Sequence, residues 1–135
     1  MTETSRRYRL VIAEEVAADL IRVKEADSDA YDELQVFFED LEGGDSWCAC
    51  IADPSYSDSQ IASIEPFWHL QNERRNVYRI KFVEVGRWRV ITAADHRSKR
   101  IGVLAVMHRD QNYEADKAFL ERLRKSYDDL EFSQL

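Results

Sequence analysis

The chain is poor in several of the residues by which protein classes are recognised. Only two of its 135 residues are cysteines, Cys48 and Cys50, one residue apart and with no second ligand pair beside them. A structural zinc site needs four ligands, so none is expected, and both cysteines are expected to be ordinary reduced thiols. The four glycines and two prolines form no repeat or low-complexity segment. One compact domain spanning 1–135 is expected, and with 44% hydrophobic residues it has enough apolar side chains for a core. No apolar run approaches the length needed to cross a bilayer, and the opening MTETSRRYRL lacks the apolar centre of a signal peptide. A cytoplasmic protein is expected.

Positive charge is scarce too, except in one stretch. The formal net charge is −7, yet positions 74–109 carry ten Lys or Arg (Arg74, Arg75, Arg79, Lys81, Arg87, Arg89, Arg97, Lys99, Arg100 and Arg109) against two acids, Glu84 and Asp95. That block stands at +8 and the remainder at −15. Such segregation points to an anionic partner for the block.

The same block reads as three short strands, at residues 77–83, 88–92 and 101–107, with connectors at 84–86 and 95–99 short enough for hairpins. An antiparallel meander follows. Alternation places Arg79 and Lys81 on one face opposite Tyr78, Ile80 and Phe82, and Arg87 with Arg89 opposite Trp88 and Val90. Cross-strand pairing then gathers four cations, which repel unless something anionic sits among them. A solvated sheet face lined with arginine is the plain alternative, and the charge segregation argues against it.

The flanking segments supply scaffold. Residues 8–12 read as a first strand at a sheet edge. From Ala13 the spacing of Val16, Leu20 and Val23 predicts a helix ending near Ala26. Ser28 or Asp29 is expected to cap a second helix with the stripe Tyr31, Leu34, Phe37, Phe38 and Leu41, stopped by Gly43-Gly44. The two form a helical hairpin on one side of the sheet. Residues 45–65 hold neither period for long and read as an irregular connection, with a helical turn or strand between 61 and 70. His69, beside Trp68, reads as a packed or hydrogen-bonded residue rather than a ligand. Ala115, Phe119, Leu123 and Tyr127 mark a last amphipathic helix whose other face holds Glu114, Asp116, Glu121 and Asp128. That acidic helix can lie near the arginine cluster and mask it. The fold class is therefore α+β, a small antiparallel sheet packed against an N-terminal helical hairpin and a C-terminal helix.

Three pieces in register carry a resemblance: Tyr78-Arg79-Ile80-Lys81, then Gly86-x-Trp88-Arg89-Val90, then Val103-Leu104-Ala105-Val106-Met107-His108-Arg109-x-x-x-Tyr113. They resemble the core of the RelE/ParE superfamily of toxins from type II toxin–antitoxin systems, across about half the chain. The resemblance implies the RelE-like fold, a cognate antitoxin as partner, and either ribosome-dependent mRNA cleavage or, in the ParE branch, inhibition of DNA gyrase. It places Arg79 and Lys81 on the family's paired basic residues, Arg89 on its Gly-x-Tyr-Arg arginine, Arg109 on the arginine after the last strand, and Tyr113 on the tyrosine that follows.

Cleavage of this kind uses no metal or cofactor. The 2′-hydroxyl attacks the adjacent phosphorus, giving a 2′,3′-cyclic phosphate and a 5′-hydroxyl, so the site needs a proton acceptor, a donor and cations for the phosphorane. Arg79, Arg89 and Arg109 suit the last task because guanidinium offers paired donors to phosphate. His108 and Lys81 compete for the proton: an imidazole titrates nearest neutrality, while neighbouring arginines favour an unprotonated Lys81. Tyr113 is placed to stack on a base, and Arg87, Arg97, Lys99 and Arg100 are expected to contact RNA. The chain's acidic balance favours the other class of function, a noncatalytic binding protein of the same fold, such as a gyrase inhibitor or a degenerate toxin.

Overall fold

The computed structural model describes residues 8–43, 45–110 and 116–134. The class is mixed α+β. In chain order the elements are β1 (Arg9–Ile12), α1 (Val16–Ala26), α2 (Ser28–Gly43), α3 (Asp45–Ile51), β2 (Ile61–Pro66), α4 (Trp68–Gln71), β3 (Val77–Phe82), β4 (Trp88–Asp95), β5 (Arg100–His108) and α5 (Lys117–Asp129). The strands form one sheet in the order β1-β5-β4-β3-β2. The meander β2-β3-β4-β5 is antiparallel, as short connectors require, whereas β1 runs parallel to β5. The expected all-antiparallel sheet is thus corrected at β1: its chain crosses the sheet through α1, α2 and α3 before returning, and so enters the edge in the other sense.

Each sheet face buries its own core. On one face Ile80, Phe82, Trp88, Val90, Ile101, Val103 and Val106 meet Val16, Val23, Leu34, Phe37, Phe38 and Leu41 of the helical hairpin. On the other, Val77, Ile91, Ala93, Leu104, Ala105 and Met107 meet Phe119, Leu120, Leu123 and Tyr127 of α5. Apolar residues on both faces explain why β4 and β5 read as nearly continuous hydrophobic runs. A Cβ at Gly102 would meet Leu130 Cδ1 at 3.1 Å and Phe132 Cζ at 3.2 Å, so the chain after α5 packs directly on bare backbone there.

The helix starts differ slightly from expectation. The second helix is capped by Asp27, whose Oδ1 accepts from the N–H of Ala30 at 3.1 Å, one residue before the expected Ser28. Asp116 caps α5, accepting from the N–H of Phe119 at 3.0 Å. Within the stretch expected to be irregular, Asp45–Ile51 is helical and Ile61–Pro66 pairs with β3 as a fifth strand. His69 is exposed rather than packed.

One carboxylate ties both helical layers to the sheet. β1 pairs with β5 only up to Ile12 opposite Val103, which leaves the continuation of β5 without a strand neighbour on that side. There the wholly buried side chain of Asp19, from α1, accepts from the N–H of Val106 at 3.0 Å and from Arg122 of α5 at 2.9 and 2.6 Å. Arg22 also pairs with Asp19, and Arg122 donates to the carbonyl of Leu104 at 3.2 Å. The ion pair therefore stands where a sixth strand would, satisfying an edge donor and an edge acceptor.

Candidate functional site

The basic residues of β3 and β4 meet on the α5 face, beyond the part that the helix covers. Register sets Lys81 opposite Arg89, and Arg79 opposite Ile91, on the side that also carries Val77 and Ala93. Arg79 and Lys81 keep about a quarter and a third of their side chains exposed. Arg89 is half-buried as well, and one terminal nitrogen donates to the carbonyls of Gly86 at 2.7 Å and Trp88 at 3.2 Å. Burial, followed by the like charges of Arg79 and Arg109, pushes its guanidinium below the usual range, with Glu65 acting in the opposite sense. Arg79 and Arg109 thus repel Arg89, and Lys81 is its register partner on the same face, at one end of the sheet.

The anion among them is one that the sequence reading missed. Glu65 lies opposite Arg79 in the β2–β3 ladder, its Oε1 2.5 Å from an Arg79 terminal nitrogen and its Oε2 3.2 Å from Lys81 Nζ. The Arg79 hydrogen bond, opposed by burial and reinforced by Lys81, holds the Glu65 carboxyl below the usual carboxylate range. The acids of α5 are engaged elsewhere: Asp128 with Arg75, Glu121 with Arg124, and Asp129 with Lys125. Among the described residues, what stands against Arg79 and Lys81 is a carboxylate from the neighbouring strand rather than an acid of the last helix.

His108 does not join this group. The β4–β5 pairing changes register between Ile91 and Thr92, where β5 carries one extra residue, and both Leu104 and Ala105 consequently pack against α5. Had the register of the hairpin end continued, His108 would have fallen opposite Arg87, with the cations. The bulge moves it by one place, opposite Trp88 and onto the helical-hairpin face. Its ring meets Trp88 edge-to-face at 4.9 Å, and its Nδ1 accepts from the backbone N–H of Asp110 at 3.1 Å. With Nδ1 so occupied, the neutral ring carries its proton on Nε2. The imidazole borders a cleft of about 520 Å³ that is also lined by Asp19, Arg22, Glu25, Phe119 and Arg122.

The remaining candidates also scatter. Arg97, Lys99 and Arg100 lie in or beside the β4–β5 turn, at the opposite end of the strands. Six residue steps separate Arg89 from Asp95, roughly 20 Å at about 3.3 Å per step. Arg100 is structural, donating to the carbonyls of Leu130 and Glu131 at 2.8 and 3.0 Å and lying over the Phe132 ring. Lys99 sits over Tyr8. Arg87 is exposed in the β3–β4 turn rather than on a strand, and with Arg109 it borders a cleft of about 670 Å³ whose other wall includes Asp27, Asp29, Asp32 and Glu33. Tyr113 lies outside the described residues. No group of three or more His, Cys, Asp or Glu side chains among the described residues is placed to hold a metal ion.

No family model matches the chain, and no curated protein matches it. Among solved structures, an archaeal RelE–RelB complex from Pyrococcus horikoshii OT3 is similar at 21% identity, with a TM-score of 0.46, over 78% of this chain and 98% of that one. No described helix is long and apolar enough to cross a membrane.

Proposed function

We propose that the face bearing Arg79, Lys81, Arg89 and Arg109 is an RNA phosphate site, and that the protein is the toxin of a type II toxin–antitoxin pair, a metal-independent, ribosome-dependent mRNA endonuclease. The observation that carries this reading is the grouping of Arg79, Lys81 and Arg89 on one sheet face of an acidic protein, with Arg109 near enough to Arg89 to act on its charge. Repulsion of this kind, which Glu65 offsets only in part, is costly and becomes favourable once a phosphate lies among the cations. The sequence resemblance, which assigns the same four positions, supports it independently.

In this reading the arginines hold the scissile phosphate and stabilise the charge that develops on the phosphorane. Lys81, on the same face, takes the proton of the attacking 2′-hydroxyl as the neutral amine, after giving up its own proton to solvent. His108 is assigned no proton transfer, because the bulge has turned it to the other face. Tyr113 keeps the base-stacking role that the resemblance implies. An acidic segment of an antitoxin fits the same surface, since the strongly negative remainder of the chain repels it elsewhere. The noncatalytic alternative gains one observation, the loss of the imidazole from the group, and predicts binding without cleavage.

The test is expression in a growing bacterial culture. Wild type is expected to arrest growth, and Arg89→Ala with Arg109→Ala to relieve the arrest while circular dichroism stays native. A folded double variant as toxic as wild type would remove the site assignment.

A further inference from the structure

We infer that Glu65 is a built-in counterion of the phosphate site: its carboxylate occupies the position on Arg79 and Lys81 that an RNA phosphate takes, and RNA binds by displacing it. The inference rests on the preceding reading of the site and adds how that site is regulated.

The geometry supports exchange rather than a permanent bridge. Glu65 offers one oxygen to each cation, at 2.5 and 3.2 Å, as the two non-bridging oxygens of a phosphodiester would. Ser63 Oγ donates to the same Oε2 at 3.3 Å, which holds the carboxylate on its own strand. The Glu65 side chain is 36% exposed and that of Lys81 35%, so solvent and a solvent-borne anion reach the contact. An ion pair this open is weak enough to be replaced. Its position is set by the strand ladder, since Glu65 is the register partner of Arg79. Among the described residues Arg89 donates to the carbonyls of Gly86 and Trp88, Arg109 stands 3.8 Å from Asp110, and neither is in ion-pair contact with Glu65, so both remain to attract the incoming strand.

Two properties follow. A lone monoanion gains little by replacing Glu65, because one carboxylate-like contact is traded for another. A polyanion gains, because contacts at Arg89 and Arg109 are added to the exchange. The counterion therefore discriminates for strands over small phosphates, and it keeps four like charges from destabilising the free fold.

The experiment titrates the full chain with a fluorescein-labelled single-stranded RNA of twelve nucleotides, between 50 and 300 mM KCl, for wild type and Glu65→Gln. The variant should bind roughly tenfold more tightly near 150 mM salt, equivalent to about 1.4 kcal/mol. Its log–log salt dependence should steepen by about 0.7, the increment for one phosphate contact on a single strand, because in wild type the displaced carboxylate takes up a cation and cancels the release at that contact. In wild type, carbon NMR of the Glu65 carboxyl should show its titration moving upward when RNA is bound, a readout that needs no folded variant. Equal or weaker binding by a folded Glu65→Gln, or a Glu65 titration unmoved by saturating RNA, would overturn the counterion while leaving the RNA site in place. Unchanged binding with cleavage lost would make Glu65 a participant in the chemistry and also overturn it. Binding by neither protein would remove the RNA site and the counterion together.

Discussion

Replacing Asp19 by alanine tests whether the two helical layers are pinned to the sheet through one carboxylate. The side chain is wholly buried and is the shared acceptor for Val106 N–H, Arg122 and Arg22. Truncation leaves an uncompensated guanidinium at Arg122, whose side chain is 20% exposed, and an unsatisfied backbone donor at Val106. Breaking a buried pair costs about 3–5 kcal/mol, and partial solvent access at Arg122 argues for the lower end. With a urea m-value of about 1.5–2 kcal/mol/M for a domain of this size, a loss of about 3 kcal/mol shifts the midpoint down by roughly 1.5–2 M. Equilibrium urea unfolding at pH 7, followed by circular dichroism, measures it. Asp19→Leu combined with Arg122→Leu should cost less than the two single changes added together, since neither partner is left buried alone. A midpoint shift below about 0.3 M for Asp19→Ala would refute the role given to this pair.

Asp95 gives a prediction in pH. Burial alone would raise its carboxyl, but hydrogen bonds from Ser133 and Ser98 bring it down to about 2. Its folded value lies below the unfolded one, so its contribution of about 2 kcal/mol is present above pH 4 and is lost as pH falls toward 2; Asp95→Asn should flatten that part of the stability profile, and an unchanged profile would contradict it. Gly102→Ala places a methyl 3.1 Å from Leu130 and 3.2 Å from Phe132, which should cost about 1–3 kcal/mol by overpacking. Thermal unfolding checks it, and a variant as stable as wild type would show that the chain after α5 yields freely.

The helical hairpin, the last helix and β3 were legible because each keeps one period for a full element, while β1, β4 and β5 were legible as short β-rich apolar runs set off by turn residues or a change of period. β2 was legible only as a helical turn or strand between 61 and 70, and the reason is local: a register irregularity between Ile61 and Ser63 spaces its buried Ile61 and Ile64 three apart, which conceals a period of two. The parallel sense of β1 was hidden because strand direction depends on the path of the intervening helices. Within the site, alternation correctly grouped Arg79 and Lys81 and added Arg89. His108 was joined to the cations by its proton chemistry alone, and the bulge beside Leu104, which moves every later residue of β5 by one place, sets it on the other face. The doublets Val103-Leu104 and Val106-Met107 were the available trace of that bulge and of a strand buried on both faces. Glu65 left no trace at all, because its partnership with Arg79 spans fourteen positions and depends on the register of a strand that the sequence offered only as an alternative to a helical turn. Arg97, Lys99 and Arg100 were grouped with the site by charge alone, and strand length separates them.

The central claim is that the working face of the sheet is the one bearing Lys81 and Arg89, not the one bearing His108. Single-turnover cleavage of mRNA on programmed ribosomes, compared among wild type, Lys81→Met and His108→Gln, tests it most directly. The account predicts a loss of roughly 10²-fold or more for Lys81→Met, as for a removed proton acceptor, and a change within about threefold for His108→Gln. A severe His108→Gln beside a mild Lys81→Met, or no cleavage by wild type, would contradict it.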